Sequence, residues 1–125
     1  MIACDTSTLA AFLAGDAQAP DVTKLREAIK GGRLALPPAT VAETLSNPRT
    51  LKAARALIGG APMLETLPDY WLRVGALRAK LISKKLKARL ADALIAQSCI
   101  DADVALITRD RDFRHFATHC GLKLA

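Results

Sequence analysis

Asp5, Glu43, Asp92 and Asp110 are the residues of this chain whose type and placement could do chemistry together. Asp5 closes the short apolar opening Met1 to Cys4, and Thr6, Ser7 and Thr8 follow it at once. Glu43 lies on the helix expected directly after the apolar segment Arg33 to Leu36. Asp92 falls in the first turn of its expected helix, where the helix dipole favours an ionised carboxylate. Asp110 follows the apolar run that begins at Val104. Held close, four carboxylates repel and raise one another's pKa unless a cation joins them. A set of oxygen ligands suits a hard ion, Mg²⁺ or Mn²⁺, which also binds phosphate oxygens. Such a centre activates water and neutralises charge at a phosphodiester, so no covalent nucleophile is required.

Each acid also has a local explanation. Asp5 can cap a helix, Asp92 can answer a helix dipole, Glu43 can sit on an exposed face, and Asp110 can be an N-cap with Asp112 beside it. What distinguishes them is where the expected elements put them. Ile2 to Asp5 reads as a strand, followed by a helix to about Ala14 with Leu9, Phe12 and Leu13 on one side. Pro20 to Lys30 reads as a helix stopped by Gly31-Gly32. Arg33 to Leu36 is a short strand closed by Pro37-Pro38, after which Thr40 is expected to cap a helix through Leu45. Arg49 to Ile58 is helical up to Gly59-Gly60, and Pro62 to Leu67 is a third strand. Pro68 opens a long helix with Tyr70, Val74, Leu77 and Leu81 in register. Leu90 to about Ile100 is a further helix, Val104 to Ile107 a buried strand, Asp110 to His119 a helix, and Leu122 to Leu124 a last strand. Alternating strands and helices imply a parallel sheet covered on both faces, because parallel strands need crossovers. All four acids then gather at one edge of that sheet, where open α/β folds place their ligands.

With 125 residues, 51% of them hydrophobic, the chain is expected to form one ordered domain over 1–125. No apolar run approaches the roughly 20 residues of a membrane span, and the N-terminus lacks the pattern of a signal peptide, so a cytoplasmic protein with no membrane partner is expected. Cys4, Cys99 and Cys120 lack metal-type spacing and read as reduced thiols. The formal net charge is +6, and its distribution is uneven. Arg78, Lys80, Lys84, Lys85, Lys87 and Arg89 form an acid-free basic stretch leading into Asp92, expected to guide a nucleic-acid backbone. Tyr70 and Trp71 do not make a base-stacking series.

The stretches "DTSTLAAFL" at Asp5, "PPATVAETL" around Glu43, "LADALIAQSC" around Asp92 and "ALITRDRDF" around Asp110 resemble the PIN-domain nucleases, most closely the VapC-type toxins of toxin–antitoxin pairs. The ordered set spans nearly the whole chain. The resemblance implies a three-layer α/β/α fold with a five-stranded parallel sheet of order 3-2-1-4-5. It implies that Asp5, Glu43, Asp92 and Asp110 bind Mg²⁺ or Mn²⁺ and carry catalysis. Asp112 is a further candidate ligand, placed behind Asp110 because Asp110 lies nearer the strand end. Thr108, with Thr6 or Ser7, is a polar support. The implied activity is endonucleolytic hydrolysis of RNA, of the tRNA or rRNA class, by a chain that pairs with an antitoxin and forms a homodimer. The alternative is a catalytically silent module of the same fold that binds RNA and a partner. Other families fit less well. A haloacid-dehalogenase-type enzyme wants an acid at position 7, where Ser7 stands, and "HFATH" (His115 to His119) has Phe116 where zinc-protease chemistry requires Glu.

Overall fold

The structure is a computed structural model describing residues 1–125. Its organisation begins with Asp5. The backbone there is extended (φ −86°, ψ 176°), and its carboxylate accepts a hydrogen bond from the Thr8 amide at 3.0 Å. One residue therefore ends strand β1 (Ile2–Cys4) and caps helix α1 (Thr6–Leu13). Helices α2 (Pro20–Lys30) and α3 (Pro38–Leu45) each start on a proline, whose missing N–H costs nothing at the first helical position. Next come α4 (Leu51–Gly59), α5 (Tyr70–Ser83) and α6 (Leu90–Ala102). Strand β2 (Ala105–Ile107) and helix α7 (Phe113–Cys120) complete the chain.

Two boundaries differ from expectation in ways that matter for the site. Thr40 does not cap α3, because Pro38 already starts that helix; its hydroxyl instead donates to the Cys4 carbonyl at 3.1 Å. This buried bond ties the helix that carries Glu43 to the strand that leads into Asp5. The last helix starts at Phe113 rather than Asp110, which leaves Asp110 and Asp112 in the turn before it. The Asp110 carboxylate accepts the Asp112 amide at 2.9 Å and shapes that turn.

β1 and β2 are parallel neighbours, paired Ile2↔Ala105, Ala3↔Leu106 and Cys4↔Ile107. They are the whole of the regular sheet. The other expected strands are reduced to single parallel bridges, Ile2↔Leu34, Leu36↔Met63 and Leu106↔Leu124. Proline explains part of the shortness: Pro37 and Pro62 donate no ladder hydrogen bond, so pairing stops beside them.

Successive strand residues face opposite ways, and the two faces build two cores. Ala3 and Leu106 join Tyr70, Val74, Leu77, Leu81, Ile95, Phe113 and Phe116 on the side of α5, α6 and α7. Cys4 and Ile107 join Leu9, Leu25, Leu34 and Leu36 on the side of α1 and α2, with Val41 and Leu57 of α3 and α4 against them. Helices therefore cover both faces of the sheet in an α/β/α arrangement. Burial among these side chains pushes the thiols of Cys4 and Cys99 well above their ordinary value, and all three cysteines are unpaired. No helix is long and apolar enough to cross a membrane.

Candidate metal centre

The acids meet where β1 and β2 end. Asp5, Thr6, Ser7, Glu43, Arg89, Asp92, Ile95 and Asp110 line one polar cleft of about 150 Å³. Larger depressions elsewhere on the surface are mainly apolar and hold no comparable set of acids.

Asp5 is the most constrained member, with only 2% of its surface exposed. One oxygen accepts the Thr8 amide; the other accepts hydroxyls from Ser7 at 2.7 Å and Thr108 at 2.6 Å. Three donors to one buried carboxylate fix its orientation. The Thr108 hydroxyl also accepts the Asp110 amide at 3.0 Å, so β2 reaches Asp5 and positions Asp110 through one atom. Thr6 donates to Glu43 at 2.6 Å. The three hydroxyl residues singled out in the sequence thus all contact cleft acids, Ser7 and Thr108 on Asp5 and Thr6 on Glu43.

Asp92 enters from the first turn of α6. Burial, assisted by the charges of Asp110, Asp5 and Glu43, raises its pKa to about 6, against an opposing pull from Arg89. One of its oxygens is buried without a hydrogen-bond partner. The tightest grouping of carboxylate oxygens is Asp92, Asp110 and Asp112, all within 4.8 Å of one another. Asp5 and Glu43 share the cleft but stand outside that trio, and Asp112 joins the trio from outside the cleft lining.

The basic stretch divides on folding. Arg89 lines the cleft, and Lys87 pairs with Asp112 at 3.2 Å. Lys84 and Lys85 stand exposed in the turn after α5. Arg78 is turned back to the Ala88 carbonyl at 2.7 Å, and Lys80 donates to the His119 carbonyl at the far end of α7. Asp101 and Asp103 lie away from the cleft, bonded to Arg73 and Lys123 respectively. A clamp that sequence reasoning missed braces the site from behind. Arg109 grips Asp21 through Nε at 2.8 Å and a second nitrogen at 3.1 Å, reaches Asp16 at 3.3 Å, and Thr8 joins it on Asp21. No local signal could reveal it, because 88 residues separate Arg109 from Asp21.

A sheet whose carboxyl edge carries this hydroxyl-braced acidic cleft defines a class, and the family comparison agrees. The PIN domain model matches residues 2–118, so the chain belongs to the PIN domain family. Members of that family are generally nucleases that use divalent metals. Among solved structures the fold is similar to a chain in the crystal structure of VapBC2 from Rickettsia felis bound to a DNA fragment from their promoter. The TM-score is 0.74 at 19% identity, covering 100% of this chain and 98% of that one. Among curated proteins none matches the sequence.

The residues present fit a divalent cation. The donor set is all oxygen, and the unpartnered Asp92 oxygen is a buried acceptor with nothing to accept. The raised Asp92 pKa has a measurable consequence for the metal-free protein. The unfolded chain loses this proton near the ordinary value of 3.8, the folded chain only near 6. Asp92 therefore costs nothing below about pH 4, lowers stability progressively as pH rises through that window, and keeps it lowered above pH 6. Asp92→Asn is expected to raise metal-free stability at pH 7.5 by about 1 kcal/mol, a value reduced for partial solvent exposure. Urea unfolding of both proteins at pH 4, 5, 6 and 7.5 checks it. Equal stabilities at every pH would show that Asp92 carries no burial penalty.

Proposed function

We infer that this protein is a Mg²⁺- or Mn²⁺-dependent endoribonuclease, the toxin of a toxin–antitoxin pair, acting on RNA of the tRNA or rRNA class. The observation that carries the reading is the convergence of Asp5, Glu43, Asp92 and Asp110 in one small cleft at the carboxyl ends of β1 and β2. These four would hold the ion, with Asp112 adjacent. Bound there, the ion supplies a water of lowered pKa and positive charge for the phosphodiester.

The chain's own contribution is positional. Ser7, Thr108 and the Thr8 amide hold Asp5 in one orientation, and Thr6 holds Glu43. Arg89, with Lys84, Lys85 and Lys87 beside it in sequence, offers cations for the RNA backbone next to the acids. Arg78 and Lys80, engaged on backbone carbonyls, contribute to the local positive field rather than to the cleft.

Observations on the fold and the comparison support the remaining features of the reading. The single parallel bridges Ile2↔Leu34, Leu36↔Met63 and Leu106↔Leu124 support a five-stranded sheet in which the five expected strands, numbered along the chain, lie in the order 3-2-1-4-5. The similarity to the VapBC2 complex supports an antitoxin partner, which would silence the cleft by presenting an Arg or Lys to its carboxylates. Trp71, Ile82 and Leu90, respectively 67%, 50% and 55% exposed, border one groove with Gly75 and Ala79 and support a homodimer through that face. Three unpaired cysteines accord with a cytoplasmic location.

The test is incubation of the purified chain with total RNA in Mn²⁺ and, separately, in excess chelator. Fragments that appear only with metal are the expected result. RNA that is retarded on a gel but intact in Mn²⁺ would instead identify a silent RNA-binding module.

A further inference from the structure

Arg89 is the only cation among the residues that line the cleft, and it is uncommitted there. Its guanidinium makes no ion pair with Asp5, Glu43, Asp92 or Asp110 and caps nothing. Lys87, Arg78 and Arg109 are each engaged, on Asp112, the Ala88 carbonyl and Asp21 respectively. The fold also gives Arg89 no structural reason to be an arginine. It is the N-cap of α6, where the helix dipole disfavours a cation and a short oxygen-bearing side chain serves best. Its backbone, by contrast, is held on both sides. The Ala88 carbonyl accepts Arg78 Nε at 2.7 Å, Ala88 itself is buried, and the Arg89 carbonyl accepts the Ala93 amide at 3.0 Å. A fixed stem therefore carries an unpaired planar fork into the cleft, on the same helix end as Asp92.

Resting on the endoribonuclease reading above, we propose that Arg89 is a catalytic residue, its guanidinium fork gripping the two non-bridging oxygens of the phosphate that is cut. In the hydrolysis a water oxygen bonds to phosphorus and the bond from phosphorus to one ester oxygen breaks. The water gives up a proton, and the leaving oxygen takes one up. The non-bridging oxygens carry negative charge through this step, so a preorganised pair of N–H donors there binds the transition state more tightly than the substrate. A lysine would bring the same charge without the two-pronged geometry. Lys84 and Lys85 differ in role because they stand exposed in the turn after α5, outside the cleft lining. From there they supply affinity for phosphates along the strand rather than for the reacting one.

The experiment compares wild type, Arg89→Ala and Arg89→Lys on end-labelled total RNA. Single-turnover cleavage is followed in Mn²⁺ at saturating protein, and RNA affinity is measured by filter binding in chelator. Arg89→Ala is expected to lower the saturated rate about 100-fold, and Arg89→Lys about tenfold. Affinity should stay within about threefold for both, since the interaction is made chiefly in the transition state. Added guanidinium ion, at concentrations that leave Tm unmoved, should restore part of the Arg89→Ala rate and none to wild type. In chelator, RNA should also shield Arg89 of the wild type from phenylglyoxal, read by mass spectrometry. If Arg89→Ala fails to fold, Arg89→Lys and the shielding of wild-type Arg89 decide the matter. A wild-type rate for Arg89→Lys would reduce Arg89 to a counter-charge, and a rate that falls only as affinity falls would reduce it to a backbone contact. Either result, or an Arg89 that RNA does not shield, would overturn the proposal while leaving the nuclease standing. Wild-type protein that leaves RNA intact in Mn²⁺ would overturn the endoribonuclease reading itself, and this proposal with it.

Discussion

Asp5→Asn and Asp110→Asn are each expected to lower the single-turnover rate of RNA cleavage by about 1,000-fold, the scale of losing a preorganised charge at a reacting centre. Affinity for RNA should stay within about twofold, because neither residue offers a phosphate contact. Both substitutions keep the side chain's shape. Asn is as good an N-cap as Asp, so Asn at position 5 can still accept the Thr8 amide. Its amide nitrogen then faces the Ser7 and Thr108 hydroxyls, which donated to the carboxylate and must now turn. At position 110 the amide oxygen can still accept from Asp112, which preserves the turn. What both variants lose is one negative charge from the cleft. Single-turnover cleavage at saturating protein, alongside filter binding, separates the two effects. A rate within tenfold of wild type for Asp110→Asn would remove Asp110 from the catalytic set. Loss of binding in step with cleavage would mean that the fold, not the chemistry, had been damaged.

Mg²⁺ or Mn²⁺ at a hundredfold excess over its dissociation constant is expected to stabilise the protein by about 2.7 kcal/mol, since an ion that binds only the folded chain acts by mass action. For a domain of this length that corresponds to a rise in Tm of roughly 10 °C. The response should depend on pH in a direction set by Asp92. With its pKa near 6, this carboxyl is ionised and ready at pH 7.5, whereas at pH 5 the ion must displace its proton. Scanning calorimetry with and without metal at the two pH values checks both statements. The shift should shrink at pH 5, and Asp92→Asn should show a smaller shift at both values. A Tm unmoved by millimolar metal at pH 7.5 would deny a shared metal centre.

The sequence by itself determined the seven helices, the two paired strands and the placing of the acids at one end of them. Helical periodicity marked α2 and α5, paired glycines marked where α2 and α4 stop, and Asp5 followed by hydroxyl residues marked a strand end that becomes a helix cap. These signals are legible because capping, chain reversal and one-sided burial are decided within a few residues. The same locality explains why the four stretches around Asp5, Glu43, Asp92 and Asp110 carried the family resemblance that the PIN domain match supports. Tertiary structure alone decided what those residues touch. Thr108 reaches Asp5 across 103 residues of chain, Thr6 reaches Glu43 across 37, and Thr40 leaves its expected cap to hold the Cys4 carbonyl. The outer strands contracted to single bridges, the basic stretch split between the cleft and two backbone carbonyls, and Lys87 found Asp112. A hydrogen bond or an ion pair is settled within a few tenths of an ångström. Spacing along the chain assigns a residue to a sheet edge, but only packing of helices against both faces of β1 and β2 brings its oxygen to that distance.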